Sequence, residues 1–177
     1  MDNNYIFQYW EAIQDGTVTV GKWIKTIYEI LVNGLKSGKW DFDEEKANKA
    51  INFIENFCHH SEGRNDLLKL ELWQKAIVSA IFGIMDKRTG YRQFREVFIV
   101  VARKNGKTLF AAAIAAYMAY IDGEYGAKVY FLAPKLDQAD LVYDAFYQIV
   151  QADDELDSIT KNCLLYTSPS PRDPKTS

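Results

Sequence analysis

The first third of the chain carries apolar residues every three or four positions, the spacing of helices that bury one face. The pattern predicts a short helix over residues 5–15, a second over about 20–36, and a third beginning near residue 43. The apolar face of the third helix consists of Ala47, Ala50, Ile51, Ile54 and Phe57. The aromatic residues of this region could stack on single-stranded nucleic acid, but their helical spacing favours packing inside a core. We expect residues 1–68 to form a helical N-terminal subdomain.

In residues 69–162, helical and strand-like segments alternate. In chain order, the pattern predicts a helix over residues 70–82, a strand over 97–101, a helix after Thr108, a strand over 128–133 and a helix from about Asp137. Strand, helix, strand and helix form a βαβ unit followed by another helix, which implies a parallel sheet with right-handed crossovers. We therefore expect a partial α/β domain in this part of the chain.

The segment between the first predicted strand and its helix has the form of a phosphate-binding loop. Residues 102–108 are Ala-Arg-Lys-Asn-Gly-Lys-Thr. Such a loop turns backbone N–H groups inward, and the following helix adds the positive end of its dipole. Lys107 would meet the β- and γ-phosphates of ATP, and the Thr108 hydroxyl would bind Mg²⁺. Val101 stands where the usual signature begins with glycine, so this loop is a variant.

An ATPase of this class also needs an acidic residue at the end of another strand to hold Mg²⁺. Asp153, Asp154 and Glu155 are candidates, but the helical pattern before them favours a helix end.

Two other groups of residues suggest binding chemistry. Cys58, His59 and His60 invite a metal site, yet zinc needs more ligands and the chain has only these two histidines, so a solvated helix end at residues 61–63 is favoured. The carboxamide of Gln74 can pair with the N6 and N7 edge of adenine, with Trp73 beside the base. From residue type alone, an exposed glutamine beside a core tryptophan is the simpler interpretation.

Composition narrows the class of protein. An apolar content of 48% and a charged content of 25% in 177 residues are typical of one soluble globular domain. No apolar run reaches the length that spans a membrane, and two distant cysteines favour the cytoplasm over a disulfide framework.

The net charge of −3 gives no overall sign of nucleic-acid binding, but basic residues cluster locally. The cluster consists of Lys87, Arg88, Arg92, Arg95, Arg103, Lys104 and Lys107. It could serve ATP, DNA or a neighbouring subunit, and a solvated charged turn accounts equally well for the first four.

The last residues differ in character from the rest. Three of the four prolines, Pro169, Pro171 and Pro174, lie there among Ser, Thr, Arg and Asp, which predicts a disordered tail over residues 163–177. Residues 164–173 look like a translated sequencing adapter. We therefore expect the natural reading frame to end near Asn162 or Cys163 and the rest of the tail to be non-native.

Several motifs occur together in a fixed order. They are Phe42-Asp43-Glu44-Glu45-Lys46-Ala47, Leu72-Trp73-Gln74, Phe94-Arg95-Glu96, the Arg-Lys-Asn-Gly-Lys-Thr loop and Gln138-Ala139. Over roughly residues 5–155 this order resembles the large terminase subunit of tailed bacteriophages, the ATP-driven motor that packages DNA into a procapsid. The resemblance implies a P-loop NTPase with three αβα layers and a parallel sheet, preceded by the helical subdomain.

The resemblance also implies roles for single residues. Gln74 matches the glutamine that reads adenine, and Arg103 matches the loop arginine that senses or stabilises the γ-phosphate. Lys107 and Thr108 match the Walker A lysine and the magnesium ligand, so Arg103 and Lys107 would be catalytic. The expected ATP-binding set is Trp73, Gln74, Ala102, Arg103, Lys104, Asn105, Gly106, Lys107 and Thr108.

The implied partners are viral double-stranded DNA, the portal protein, the small terminase subunit and further copies in a ring, in the host bacterial cytoplasm. Relatives continue into a Walker B strand and a C-terminal endonuclease domain, so we expect this chain to be the N-terminal ATPase portion. The resemblance implies that, without the Walker B acids, the general base that activates water is absent, so we expect this chain to hydrolyse ATP weakly or not at all. Two other interpretations stay open: part of a helicase-like P-loop DNA translocase, and a non-catalytic helical interaction domain with a chance Gly-Lys-Thr.

Overall fold

The computed structural model of the protein describes residues 4–60, 66–123 and 126–164. In these ranges the elements are α1 (Tyr5–Gln14), α2 (Lys22–Lys36), β1 (Asp41–Phe42), α3 (Glu44–Phe57), α4 (Leu72–Gly83), β2 (Ile84–Met85), α5 (Lys107–Tyr120), α6 (Leu136–Gln151) and α7 (Asp154–Leu164). The predictions for residues 61–63 and for the tail beyond residue 164 lie outside the described residues, whereas the first two residues of the predicted tail end α7. Among the described helices, none is long and apolar enough to cross a membrane.

Polar residues begin two of the three N-terminal helices. The Asn4 side chain accepts a hydrogen bond from the Ile6 N–H at 3.0 Å and caps α1. The Asp43 side chain accepts from the Lys46 N–H at 3.0 Å and caps α3, whose first turn is acidic and suits the positive helix end. The helices predicted in this part of the chain are confirmed, with slightly different bounds.

The helices predicted after residue 70 are also confirmed as α4, α5 and α6. Beyond α6, an Asp153 carboxylate oxygen accepts hydrogen bonds from the N–H groups of Glu155 and Leu156, each at 3.0 Å. This cap begins α7. The acidic residues at 153–155 therefore lie at a helix boundary, as the helical pattern predicted, and not at a strand end.

The predicted parallel sheet is not formed in the described part of the chain. The sheet found there is an antiparallel pair in which Asp41 of β1 lies opposite Met85 of β2. Residues 97–101 and 128–133 form neither helix nor strand, and the side chains of Phe98 and Leu132 are 93% and 92% exposed. Strand propensity depends on packing against neighbouring strands and layers. Neither segment pairs with another strand among the described residues, so a strand-like residue composition is not sufficient to form a strand here.

Two clusters of buried apolar side chains hold the helices together, and α4 contributes to both. The larger cluster joins α3 to α7 and contains Ile54, Val78 and Phe110. The smaller one joins α1 and α2 to Ala76 of α4. Because α3 and α5 share one cluster, the predicted boundary between residues 68 and 69 crosses a continuous core. That boundary stays a prediction.

Two helical glycines allow aromatic rings to lie directly against the helix backbone. The Trp40 ring covers Gly34 on α2. The Phe42 ring covers Gly83 on α4, where an added Cβ would stand 2.6 Å from a Phe42 ring carbon. These approaches fix β1 and its flanking residues between α2 and α4.

Candidate nucleotide-binding site

The predicted phosphate loop is a tight turn with two residues in the left-handed region. Lys104 has a φ of 66°, and Gly106 has a φ of 64° and caps the start of α5. Between them, the Asn105 side-chain amide donates to the carbonyls of Ala102 at 3.2 Å and Arg103 at 3.3 Å. Glycine adopts positive φ at no steric cost, and the Asn105 bonds hold the turn closed from inside.

The turn delivers the chain into the N-terminus of α5, and Lys107 and Thr108 are its first two residues. The Phe110 N–H donates to the Gly106 carbonyl at 2.9 Å, which closes the first helical turn. No described side chain caps this helix end. The first N–H groups of a helix have no partner within it, and the helix dipole makes that end positive. The geometry is that of an anion site.

An open cavity of about 1180 Å³ lies beside the loop. Arg103, Lys107, Thr108 and Gln138 supply polar groups to its wall, and the rest comes from α5, from α6 and from residues between 81 and 101, which include Arg92 and Arg95. No carboxylate is among its described lining residues. Three predicted site residues and Gln138, whose motif had no assigned role, thus share a cavity that is positively charged and large enough for a nucleotide.

Trp73 and Gln74 lie at the start of α4 and are not among the residues that line this cavity. Gln74 is only 8% exposed, and its carbonyl oxygen accepts from the Glu71 N–H at 2.9 Å in a capping box. The simple expectation of an exposed glutamine is therefore wrong. The Trp73 ring lies 5.9 Å from the ring of Phe110, so the start of α4 packs against the first turn of α5.

Comparison with known proteins connects this geometry to a family. The family model described as "Terminase large subunit, ATPase domain" matches residues 72–169, more than half of the chain. The chain belongs to this family. The resemblance drawn from the sequence motifs is thereby confirmed.

The terminase chain is also similar to a solved structure, the large terminase of bacteriophage HK97. The two are 26% identical, with a TM-score of 0.54, and the match covers 64% of this chain. The match covers 22% of the HK97 protein, so this chain spans about a fifth of that terminase. No curated protein sequence matches the chain.

The first four basic residues of the cluster have different surroundings in the terminase chain. Lys87 pairs with Asp41 at 3.3 Å and Arg88 with Asp86 at 3.4 Å, both on exposed surface. Arg95 is exposed and lines the cavity. A solvated turn therefore describes Lys87 and Arg88, while Arg95 faces the candidate site.

Arg92 differs from Lys87 and Arg88 because it is half-buried. Its guanidinium bonds to Asp122 at 3.0 Å just beyond the end of α5, and it lies 5.4 Å from the centre of the Phe82 ring. Burial and the Asp122 charge raise the pKa of the neighbouring Tyr117 to about 12, with Arg92 acting in the opposite direction. The partners of Arg92 are distant in sequence, so no local pattern distinguishes it from the other basic residues.

The described residues hold no group of three or more side chains able to share a metal ion. Cys58 is a buried free cysteine. Burial, and secondarily the Asp153 charge, raises the pKa of its thiol to about 12, which keeps the thiol protonated at neutral pH. A protonated thiol is a poor metal ligand because metals bind the thiolate.

Proposed function

We propose that this chain binds ATP with Mg²⁺ at the 102–108 loop and forms the nucleotide-binding portion of a motor that packages phage DNA. The observation that carries the proposal is the convergence of Arg103, Lys107 and Thr108 on one cavity at the N-terminus of α5. Membership of the terminase ATPase family supports the assignment of ATP.

Each residue of the loop has a distinct role in this proposal. The Lys107 ammonium lies beside the β- and γ-phosphates, and Arg103 on the other side of the turn neutralises the γ-phosphate. Lys104, Asn105 and Gly106 supply backbone N–H groups that surround the phosphates, with Ala102 at the entrance. Arg103 and Lys107 would contact the reacting phosphate and are the proposed catalytic residues.

Mg²⁺ fits this site as an ion that arrives with the nucleotide. Thr108 is half-buried and lines the cavity, and it offers one hydroxyl oxygen. Magnesium keeps several waters and commonly takes one or two protein ligands plus phosphate oxygens. When bound, the ion would neutralise charge on the phosphates.

We propose that Gln74 and Trp73 contact the adenine. The Gln74 oxygen already accepts from Glu71, but a carbonyl oxygen has a second lone pair for the adenine N6 amino group. The amide nitrogen of the same side chain would donate to N7. The packing of Trp73 against Phe110 supports a base position near the loop.

The three-layer P-loop arrangement is likewise a proposal. Residues 97–101 and 129–133 are mostly apolar and flank α5 in sequence, as the first two parallel strands of such a sheet would. The exposure of Phe98 and Leu132 supports a role as strands covered by further elements.

We propose slow or absent hydrolysis for this chain. The described cavity lining contains no carboxylate to orient water or complete the magnesium shell. For the whole protein we propose action on double-stranded DNA, endonuclease activity and a host cytoplasmic setting. Its proposed protein partners are the portal protein, the small terminase subunit and further copies of itself in a ring.

Titration with a fluorescent ATP analogue and Mg²⁺ tests the proposal. Lys107→Ala should weaken binding about 10- to 100-fold, the range for losing a hydrogen bond from a charged group. The matched control is Lys25→Ala, an exposed lysine on α2 outside the cavity, which should bind as the wild type does. Equal binding by wild type and Lys107→Ala would contradict the proposed site.

A further inference from the structure

A second cavity, of about 530 Å³, lies on the outer side of α3, against the residue that follows α5. Its wall includes Asn48, Asn52 and Asn56, three carboxamides at successive intervals of four residues. Asn52 and Asn56 are exposed, and Asn48 is half-buried with a long 3.5 Å bond to Glu44. Four residues make slightly more than one helical turn, so the three side chains form a row along one face.

One side of this amide row is apolar. Phe53 and Phe57 stack with centroids 5.4 Å apart and an interplanar angle of 21°, and Ile121 faces them from the end of α5. The charged residues that line the groove, Glu45 and Lys49, have opposite signs. Its described lining therefore offers hydrogen bonds and an apolar wall with no net charge.

From these features we propose that the α3 groove binds an extended peptide segment of a partner protein. The row repeats every 6 Å or so, four residues at a rise of about 1.5 Å each. An extended peptide repeats every two residues at roughly 6.7 Å. Each carboxamide can donate to and accept from one peptide unit, so three asparagines match three alternate units of an extended backbone.

The same match of spacings predicts which side chains the bound peptide carries. Alternate side chains of an extended segment point in opposite directions, so every second one meets the half-buried Phe57 or Ile121, while Phe53, only 4% exposed, supports Phe57 from within the core. The segment therefore carries apolar residues at alternate positions and little net charge. A nucleic-acid strand fits less well, because phosphates require an excess of basic residues, and the described lining of the groove has one lysine against one glutamate.

The groove is separate from the nucleotide site. Gly106 precedes α5 at one end and Ile121 follows it at the other, and the 14-residue helix is about 21 Å long. Peptide binding there does not require bound ATP.

Selection from a displayed library of random ten-residue peptides, against the whole chain without nucleotide, tests the proposal. Counter-selection uses the double variant Asn52→Ala and Asn56→Ala. A selected peptide is then synthesised with and without N-methyl groups on alternate backbone nitrogens. We expect Asn52→Ala or Asn56→Ala to weaken its binding about 3- to 10-fold each, as for loss of a neutral hydrogen bond.

Three controls test whether the peptide binds through its backbone to the α3 groove. Asn33→Ala, an exposed asparagine on α2, should bind the peptide as the wild type does, and all variants should melt at or above the wild-type temperature. The N-methylated peptide should bind at least about 10-fold more weakly, because its backbone donors are blocked. The proposal is overturned if no selected peptide depends on Asn52 and Asn56, if N-methylation has no effect, or if a ten-nucleotide oligothymidine competes equally well.

Discussion

At the scale of single residues, the loop is defined by two backbone conformations. Gly106 stands at positive φ, which the Gly-Lys-Thr motif suggests, because glycine is the usual residue for that conformation. Lys104 also stands at positive φ, and nothing in its residue type predicts this. Strained non-glycine residues cluster at ligand-binding sites, so the positive φ of Lys104 supports the proposed phosphate loop in a way that the sequence does not.

The two positions should respond oppositely to substitution. Gly106→Ala places a Cβ in the left-handed region and should lower the free energy of unfolding by about 1–2 kcal/mol. Lys104→Gly relieves the same strain, offset by the greater freedom of glycine in the unfolded chain, and should leave stability unchanged or slightly higher. Urea denaturation of both variants measures this. A loss of similar size in both would argue against the described turn.

Gln74 serves a structural bond and a proposed base contact, and two substitutions separate them. Gln74→Glu keeps an oxygen for the Glu71 N–H but removes the amide donor. It should melt at or below the wild-type temperature, because the new carboxylate is largely buried, and it should lose the preference for ATP over GTP by about tenfold or more.

Gln74→Ala removes both groups. It should lose the same nucleotide preference and about 1 kcal/mol of stability with its capping bond. Binding titrations with ATP and GTP measure the nucleotide preference, and thermal melts measure the stability. If Gln74→Glu kept full preference for ATP, the adenine contact would be wrong.

At the scale of elements, α4 carries two small residues about one turn apart, one without room for a larger side chain and the other with a hydroxyl that is unpaired among the described residues. At Gly83 an added Cβ would meet a Phe42 ring carbon at 2.6 Å and the Ala47 Cβ at 2.9 Å. Ser79 is fully buried, and its hydroxyl has no described hydrogen-bond partner.

We expect Gly83→Ala to lower the free energy of unfolding by about 1–3 kcal/mol through overpacking. Ser79→Ala should raise it by about 1 kcal/mol, because it removes an unpaired buried hydroxyl and adds a better helix former. Chemical denaturation of the pair checks the signs. Stabilisation by Gly83→Ala would show that Phe42 does not lie against α4.

The helices could be predicted from the sequence and the sheet could not, for a physical reason. The buried face of α3 can be predicted from the spacing of its apolar residues, since Ala47, Ala50 and Ile54 recur at helical intervals and are all buried. Residues 97–101 have strand composition, but a strand forms only with a partner, and residue type does not name one. The pairing of Asp41 with Met85 in β1 and β2 joins distant segments and left no local signal.

The candidate site divides in the same way. Lys107 and Thr108 were predictable because loop and helix are contiguous in sequence. The presence of Gln138 in the same cavity and the bond between Arg92 and Asp122 depend on tertiary packing. The family resemblance supplied Gln74, which its residue type alone did not favour.

At the scale of the whole molecule, the larger cluster buries two groups that ionise at high pH. Burial raises the pKa of Cys58 from 9.0 to about 12 and that of Tyr117 from 10.0 to about 12. As the pH rises from about 9 towards 12, both groups stay largely neutral in the folded chain but ionise in the unfolded chain. Their contribution to stability is complete below pH 9 and is lost as the pH rises towards 12.

We expect the free energy of unfolding to fall above pH 9, by at most about 2 kcal/mol from Cys58 at pH 10.5. Urea denaturation at pH 7.5, 9.5 and 10.5 measures the slope. Cys58→Ala should reduce that slope. An identical slope in Cys58→Ala would show that the thiol does not contribute.

In the proposed function, the loop at the N-terminus of α5 holds the phosphates of ATP. Titration of the ¹⁵N-labelled chain with Mg²⁺ and ATP, followed by backbone amide shifts, tests this. We expect the largest saturable shifts at Lys104, Gly106, Lys107 and Thr108, and we expect Lys107→Ala to lose them. Saturable shifts confined to other parts of the chain, or no shifts at ATP concentrations in the millimolar range, would contradict it.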